Sequence, residues 1–340
     1  MGKRVVVIGG GTGTYSVLSG LKKYPLEISA VVSMADSGGS ARKERDEWGL
    51  LPVSDVRKAL LALAGEGEQE GTIRELMNYR FSEGVGVEGT TFGNLFLVAL
   101  SNILGSQEEA IGKLGKILGI RGQVLPVTLK QTNLVAEYDG GLVVVGEHEI
   151  DEPKHDGRMA IRRAYLLPPV KAHPPAVAAI EKADLIVVGP GDLFTSLIPV
   201  LLVEGISKAL RRSRAKKIFV LNLMNRYGQT YGFAASDFLS TLDEYLGASV
   251  FDHVLVNNMP LPEDVLRHYA LSEQSYSVAD DLPCRQAGLN DGQSAAVVRG
   301  DFLSRQVTEP QIGDKLRRSL LRHDPEKLAR AIMAIIEDTN

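Results

Sequence analysis

Cysteine is all but absent: the 340-residue chain carries one, Cys284. A single thiol forms no internal disulfide and no cysteine-based metal cluster, so a reducing cytoplasm is the expected compartment. Strong net charge is missing as well. A formal charge of −4 gives no global attraction to nucleic acid or to a membrane surface, and neither is expected as a partner. No apolar run approaches a membrane span, the longest candidates, such as Leu197 to Val203, being too short. Met1-Gly2-Lys3-Arg4 leads directly into an apolar stretch and lacks a signal-peptide pattern. Internal repeats, low-complexity tracts and a visible Ser–His–Asp or Cys–His set are also lacking. His148, His155 and His173 stand singly, without ligand spacing, and read as surface or structural residues. The expectation is a soluble protein long enough to bury a substantial core.

What the chain does have is a succession of short apolar strands that end in small, polar turns. Lys3 to Ile8 reads as a strand entering Gly9-Gly10-Gly11-Thr12-Gly13-Thr14, with an amphipathic helix from Tyr15 to Lys22. Ile28 to Val32 is a second strand, ending in Met34-Ala35-Asp36-Ser37-Gly38-Gly39-Ser40. Leu185 to Val188 ends in Gly189-Pro190-Gly191-Asp192, followed by Thr195-Ser196; Lys217 to Leu221 ends in Asn222-Leu223-Met224-Asn225. Val254 to Val256 ends in Asn257-Asn258. In open α/β sheets ligands sit at the carboxyl ends of strands, where free backbone N–H groups and helix N-termini favour phosphate. Several such turns at one end of a sheet predict a composite cleft for a phosphate-bearing ligand. Gly93 and Asn94, at the start of an apolar helix over 95–104, offer another anion-facing helix end, and Arg42 or Arg45 is placed to close over phosphates. Ser54 reads as the N-cap of a helix through Leu63, with Asp55 and Arg57 in its first turn.

Between these parts the pattern alternates with period two. Leu134 to Tyr138 and Leu142 to Val145, joined by Asp139-Gly140-Gly141, read as a β-hairpin, and Arg162 to Leu166 as a further strand. The predicted architecture is one α/β domain over 1–340, a Rossmann-like three-layer α/β/α arrangement with a mainly parallel sheet and a small β-rich insertion at about 121–170.

The dinucleotide fingerprint G-x-G-x-x-G fails for want of its third glycine, since Thr14 and Ser16 stand at the two positions where it would fall. Asp36 does lie near where an acidic residue would hold an adenosine ribose, which leaves an NAD-linked oxidoreductase as a minor alternative. Two of Asp36, Asp55 and Asp192 would suffice to hold Mg²⁺ shared with a diphosphate, and Mg²⁺ is the one cofactor left open, with Asp36 as its candidate ligand. Phosphoryl-type transfer needs positioning and charge neutralisation more than a nucleophile, so the missing triad does not exclude it.

In their order and spacing the motifs resemble the family that joins the bacterial gluconeogenesis factors (YvcK-like) to the 2-phospho-L-lactate transferases (CofD-like). The markers are Gly9 to Gly13, Ala35 to Ser40, Phe92-Gly93-Asn94-Leu95, Arg121-Gly122-Gln123-Val124-Leu125-Pro126, Gly189 to Asp192 with Thr195-Ser196, Asn222-Leu223-Met224 and Ala235-Ser236-Asp237. The resemblance implies one of two functions. The YvcK-like branch implies binding of a uridine-diphosphate sugar, with an effect on carbon metabolism and cell-wall morphogenesis and without catalysis. The CofD-like branch implies Mg²⁺-dependent transfer of a lactyl phosphate from a guanosine-diphosphate conjugate to a deazaflavin precursor. The Leu-Met-Asn and Arg-Gly-Gln-Val-Leu-Pro segments favour the first. Tyr269 and Arg322 match positions where YvcK-like proteins have a tyrosine and an arginine suited to hold a nucleotide sugar. Ser37 replaces the family's usual second aspartate, and Asp192 stands where serine is common. The base, the sugar and homo-oligomerisation are left open.

Overall fold

Val5, Val6, Val7 and Ile8 are all buried, without the alternation of a strand that has one wet face. A strand of that kind needs cover on both faces, as in a parallel sheet between helices. In the structure, a computed structural model that describes residues 2–35, 50–65, 67–283, 295–305 and 320–337, it has that setting.

The first half of the chain runs β1 (Lys3–Gly9), α1 (Gly11–Leu21), β2 (Leu26–Val32), α2 (Ser54–Leu63), α3 (Glu68–Asn78), α4 (Phe92–Leu104), α5 (Gln107–Ile117) and β3 (Gln123–Pro126). Next come β4 (Asn133–Tyr138), β5 (Val143–Val145), α6 (Glu147–Asp151) and β6 (Ile161–Leu167). The rest is α7 (Pro174–Lys182), β7 (Leu185–Val188), a π-helical turn at Leu193–Leu197, α8 (Ile198–Leu201), α9 (Ile206–Arg212), β8 (Lys216–Val220), α10 (Ala235–Leu246), β9 (His253–Asn257), α11 (Glu263–Ser272), β10 (Ala296–Gly300) and α12 (Pro325–Glu337). Among the described residues no helix is long and apolar enough to cross a membrane.

The main sheet has the order β10-β9-β8-β7-β1-β2-β3, and every pair in it is parallel. The chain therefore winds from β1 to β2 and β3 in one direction, and from β7 to β10 in the other. The reversal falls between β1 and β7, and the crevice at the carboxyl ends of such a strand pair is where open α/β sheets bind ligands. The register Ile8↔Val188 brings Gly9 and Gly189 side by side, and the Gly189 N–H donates to the Ile8 carbonyl at 3.0 Å. Gly189 has φ +78, a conformation in which a side chain would be strained, so the turn after β7 needs glycine there.

The expected Rossmann-like α/β fold is the one the chain adopts, with several local differences. The β-rich stretch expected at about 121–170 divides. Gln123–Pro126 joins the main sheet at its edge, beside β2, while β5-β4-β6 form a separate antiparallel sheet. The first helix starts at Gly11 rather than Tyr15, so most of the glycine-rich turn is helical. Ser54 is the first residue of its helix and not its N-cap, which is Val53. Its hydroxyl instead accepts from Asn94 Nδ2 at 3.3 Å.

Candidate functional site

The carboxyl ends of β1, β7 and β8 open into a cavity of about 830 Å³, which is within the range that small-molecule ligands occupy. One wall is the N-terminus of α1. Gly10, Gly11, Thr12 and Gly13 line it, and no side chain of the N-cap residue, Gly10, covers the first-turn amides. The opposing wall is the turn after β7, with Pro190, Gly191, Asp192, Thr195 and Ser196. The walls touch closely: a Cβ on Gly13 would lie 2.1 Å from the Pro190 carbonyl oxygen, so only glycine permits this approach. Asn222, after β8, ties the second wall down by donating from Nδ2 to the Gly191 carbonyl at 2.9 Å.

Asp55 completes the first wall. Its Oδ1 accepts from the Gly11 N–H at 3.0 Å and from Lys58 Nζ at 3.2 Å. A carboxylate thus already sits on one of the amides that a helix N-terminus offers to anions. Arg57, buried under this wall, donates from Nε to Asn94 Oδ1 at 2.9 Å and from Nη1 to Asn78 Oδ1 at 2.7 Å.

Beneath the second wall lies a charge cluster. Arg226 reaches Asp151 at 3.0 Å and lies 3.6 Å from Glu273. Burial opposes the charge of Arg226, but Asp192, Asp151 and Glu273 outweigh it and hold its pKa above the ordinary value. Burial also pushes the Asp192 carboxyl up to about 6; Arg226 works against that rise, and Asp151 and Glu273 add to it. Gln229 links the cluster to the turn, donating to Asp151 at 3.0 Å and accepting from the Thr195 hydroxyl at 3.3 Å. Asp151 comes from α6, so the small antiparallel sheet delivers a working part of the cleft.

Several expected site residues take other positions. Thr14 and Gly93 do not line the cleft. The Thr14 hydroxyl donates back to the Gly10 carbonyl at 3.1 Å, and a Cβ on Gly93 would meet Arg57 Cδ and the Met77 carbonyl at 2.6 Å, which makes Gly93 a packing glycine. Tyr269 is in the wall but 3 % exposed, and its hydroxyl accepts from the Leu320 N–H at 2.8 Å and the Leu321 N–H at 3.4 Å. Its hydroxyl anchors the segment that carries Arg322 into the cleft. Asp36, Ser37, Gly38, Gly39, Ser40 and Arg45 lie outside the described residues, as does Cys284. His148, read from sequence as surface or structural, lines the cleft.

Lys58, Asn78, Arg80, Asp151, Arg226, Glu273 and His323 also line the cleft, and sequence reasoning did not select them. They arrive from helices and loops far apart in the chain. Among the described residues no group of three or more His, Cys, Asp or Glu side chains is arranged to hold a metal ion.

Residues 5–302 match the family described as 2-phospho-L-lactate transferase CofD. The gluconeogenesis factor of Halalkalibacterium halodurans is 35 % identical over 97 % of this chain and 96 % of its own length. That of Bacillus subtilis is 32 % identical over 98 % of each. A crystal structure of a UPF0052 family member from Bacillus halodurans superposes with a TM-score of 0.85 at 34 % identity, covering 98 % of this chain and 99 % of that one.

Proposed function

Because the chain belongs to the CofD family and groups there with the gluconeogenesis factors, we propose that its cleft binds a nucleotide sugar of the uridine-diphosphate class and that the protein is regulatory. The effect would fall on carbon metabolism and cell-wall morphogenesis, in the cytoplasm. The observation that carries this reading is the meeting of the α1 N-terminus with the Pro190–Asp192 turn at the strand-order reversal. Its Thr12 and Gly13 amides, beside the Gly11 amide that Asp55 holds, and the adjacent cations Lys58, Arg80 and Arg322 suit a diphosphate. The cavity is large enough for a base and a sugar on either side of it.

A second reading, a Mg²⁺-dependent transferase acting on a nucleotide-diphosphate conjugate, draws support from the description of the matched family. One experiment separates the two: calorimetric titration with UDP-N-acetylglucosamine, GDP and NAD, each with and without Mg²⁺. The regulatory reading expects binding of the UDP-sugar without metal. Binding of GDP alone, and only with Mg²⁺, would favour the transferase, and tight binding of NAD would defeat both.

A further inference from the structure

We propose that His323 is a recognition residue of this cleft, its Nε2 accepting a hydrogen bond from an N–H or O–H group of the bound nucleotide ligand. The inference rests on the nucleotide reading given above and assigns part of the ligand's selection to one atom.

The placement comes first. His323 lines the cleft and is 6 % exposed. One ring nitrogen donates to the Leu221 carbonyl, and Nε2 is buried with no hydrogen-bond partner. The donor is therefore Nδ1, which leaves the lone pair on Nε2. Burial pushes the imidazole down to about 4, so the ring is neutral near pH 7 and Nε2 is an acceptor only.

The ring is also held in place. Ser304 N–H donates to the Arg322 carbonyl at 2.9 Å and Asp324 N–H to the Phe302 carbonyl at 2.8 Å, which brackets His323 in an antiparallel bridge with Leu303. Asp324 Oδ1 accepts from Glu326 N–H at 2.9 Å and from Lys327 N–H at 3.0 Å, capping α12 directly after the bridge. Tyr269 grips the residues just before it. A buried acceptor without a partner is costly in the free protein, and a frame this rigid keeps it from finding one elsewhere. A ligand donor placed there recovers that cost on binding. Unpartnered ring nitrogens also occur at His155 and His173, but neither lines the cleft.

The donor has two sources in a nucleotide sugar: the nucleoside (base imide or ribose) and the appended sugar's hydroxyls. The test titrates wild-type protein, His323→Leu and His323→Gln with UDP and with UDP-N-acetylglucosamine. Folding of each variant is checked by circular dichroism. His323→Leu should weaken binding about tenfold to a hundredfold, and His323→Gln, whose amide oxygen reaches a similar point, should restore much of it. A loss seen with both ligands places the donor on the nucleoside; a loss seen only with the UDP-sugar places it on the sugar. Binding of both ligands to His323→Leu within about twofold of wild type would overturn the inference. Should that variant not fold, nitrogen NMR of the wild-type histidines decides. The His323 Nε2 resonance should move on saturation with UDP-N-acetylglucosamine, and an unmoved resonance refutes the contact. Wild-type protein that binds neither ligand would refute the nucleotide reading itself, and this inference with it.

Discussion

Half-buried Asp192 and buried His323 line the same cleft, and their titrations pull the stability of the protein in opposite directions as pH falls. Asp192 is raised from its ordinary 3.8 to about 6, so between those values the folded state holds the extra proton and stability is lost as pH rises through 6. His323 is lowered from 6.5 to about 4, so there the unfolded state holds the extra proton and stability is lost as pH falls through that window. Each shift is worth roughly 2–3 kcal/mol at full extent. The two contributions offset one another in the wild-type protein, and single variants should unmask them. Urea unfolding at pH 7 and pH 5 is expected to show Asp192→Asn losing stability on acidification relative to wild type, and His323→Leu gaining it. Parallel behaviour of all three proteins would refute the assigned protonation states. Asp192 also bears on binding. An anion beside it raises its pKa further, so uptake of a diphosphate should draw in protons near pH 6.5. Titration in buffers of different ionisation enthalpy measures that uptake.

Among the elements, the contact of α1 with the turn after β7 sets the geometry of the cleft, and Gly13 permits it. Gly13→Ala puts a methyl group 2.1 Å from the Pro190 carbonyl oxygen, so the walls must part. The expected cost is about 1–3 kcal/mol of stability, with a loss of ligand affinity larger than the loss of fold would explain. Thermal denaturation and calorimetry on the same preparation test both. Tyr269→Phe removes the acceptor for two backbone N–H groups, at about 1–3 kcal/mol, and should weaken binding by loosening the segment that leads to Arg322 and His323.

Much of this element structure was legible in sequence because parallel strands buried on both faces read as unbroken apolar runs, as Val5–Ile8 and Leu185–Val188 do. Gln123–Pro126 escaped because it is four residues long and its partner, β2, is almost a hundred positions away, so nothing local marks it as part of the main sheet. The turns after β1 and β7 announced a phosphate site by their glycines. Arg226 and His323 carried no such mark: a buried arginine and an unsatisfied histidine are defined by what packs around them. Tyr269 was found through a family resemblance, and the anchoring role of its hydroxyl became visible only in the structure.

At the scale of the whole molecule, the two windings from β1 meet at one crevice, and the remaining parts converge on it. The small antiparallel sheet supplies Asp151 through α6. The C-terminal helix packs on α1, where a Cβ on Gly20 would lie 2.0 Å from the Pro325 carbonyl oxygen, and its cap residue follows His323 directly. A ligand in the cleft thus braces both halves of the sheet and the chain's last helix. At a hundredfold excess over its dissociation constant it should stabilise the fold by about 2.7 kcal/mol, visible as a rise in melting temperature.

The central claim is that backbone amides at the α1 N-terminus hold the diphosphate. Amide hydrogen exchange, measured with and without saturating UDP-N-acetylglucosamine, tests it most directly. The account predicts slowed exchange concentrated at Thr12 and Gly13 and in the Gly191–Asp192 turn. Bound ligand that leaves those amides exchanging as before, with protection elsewhere, would contradict it.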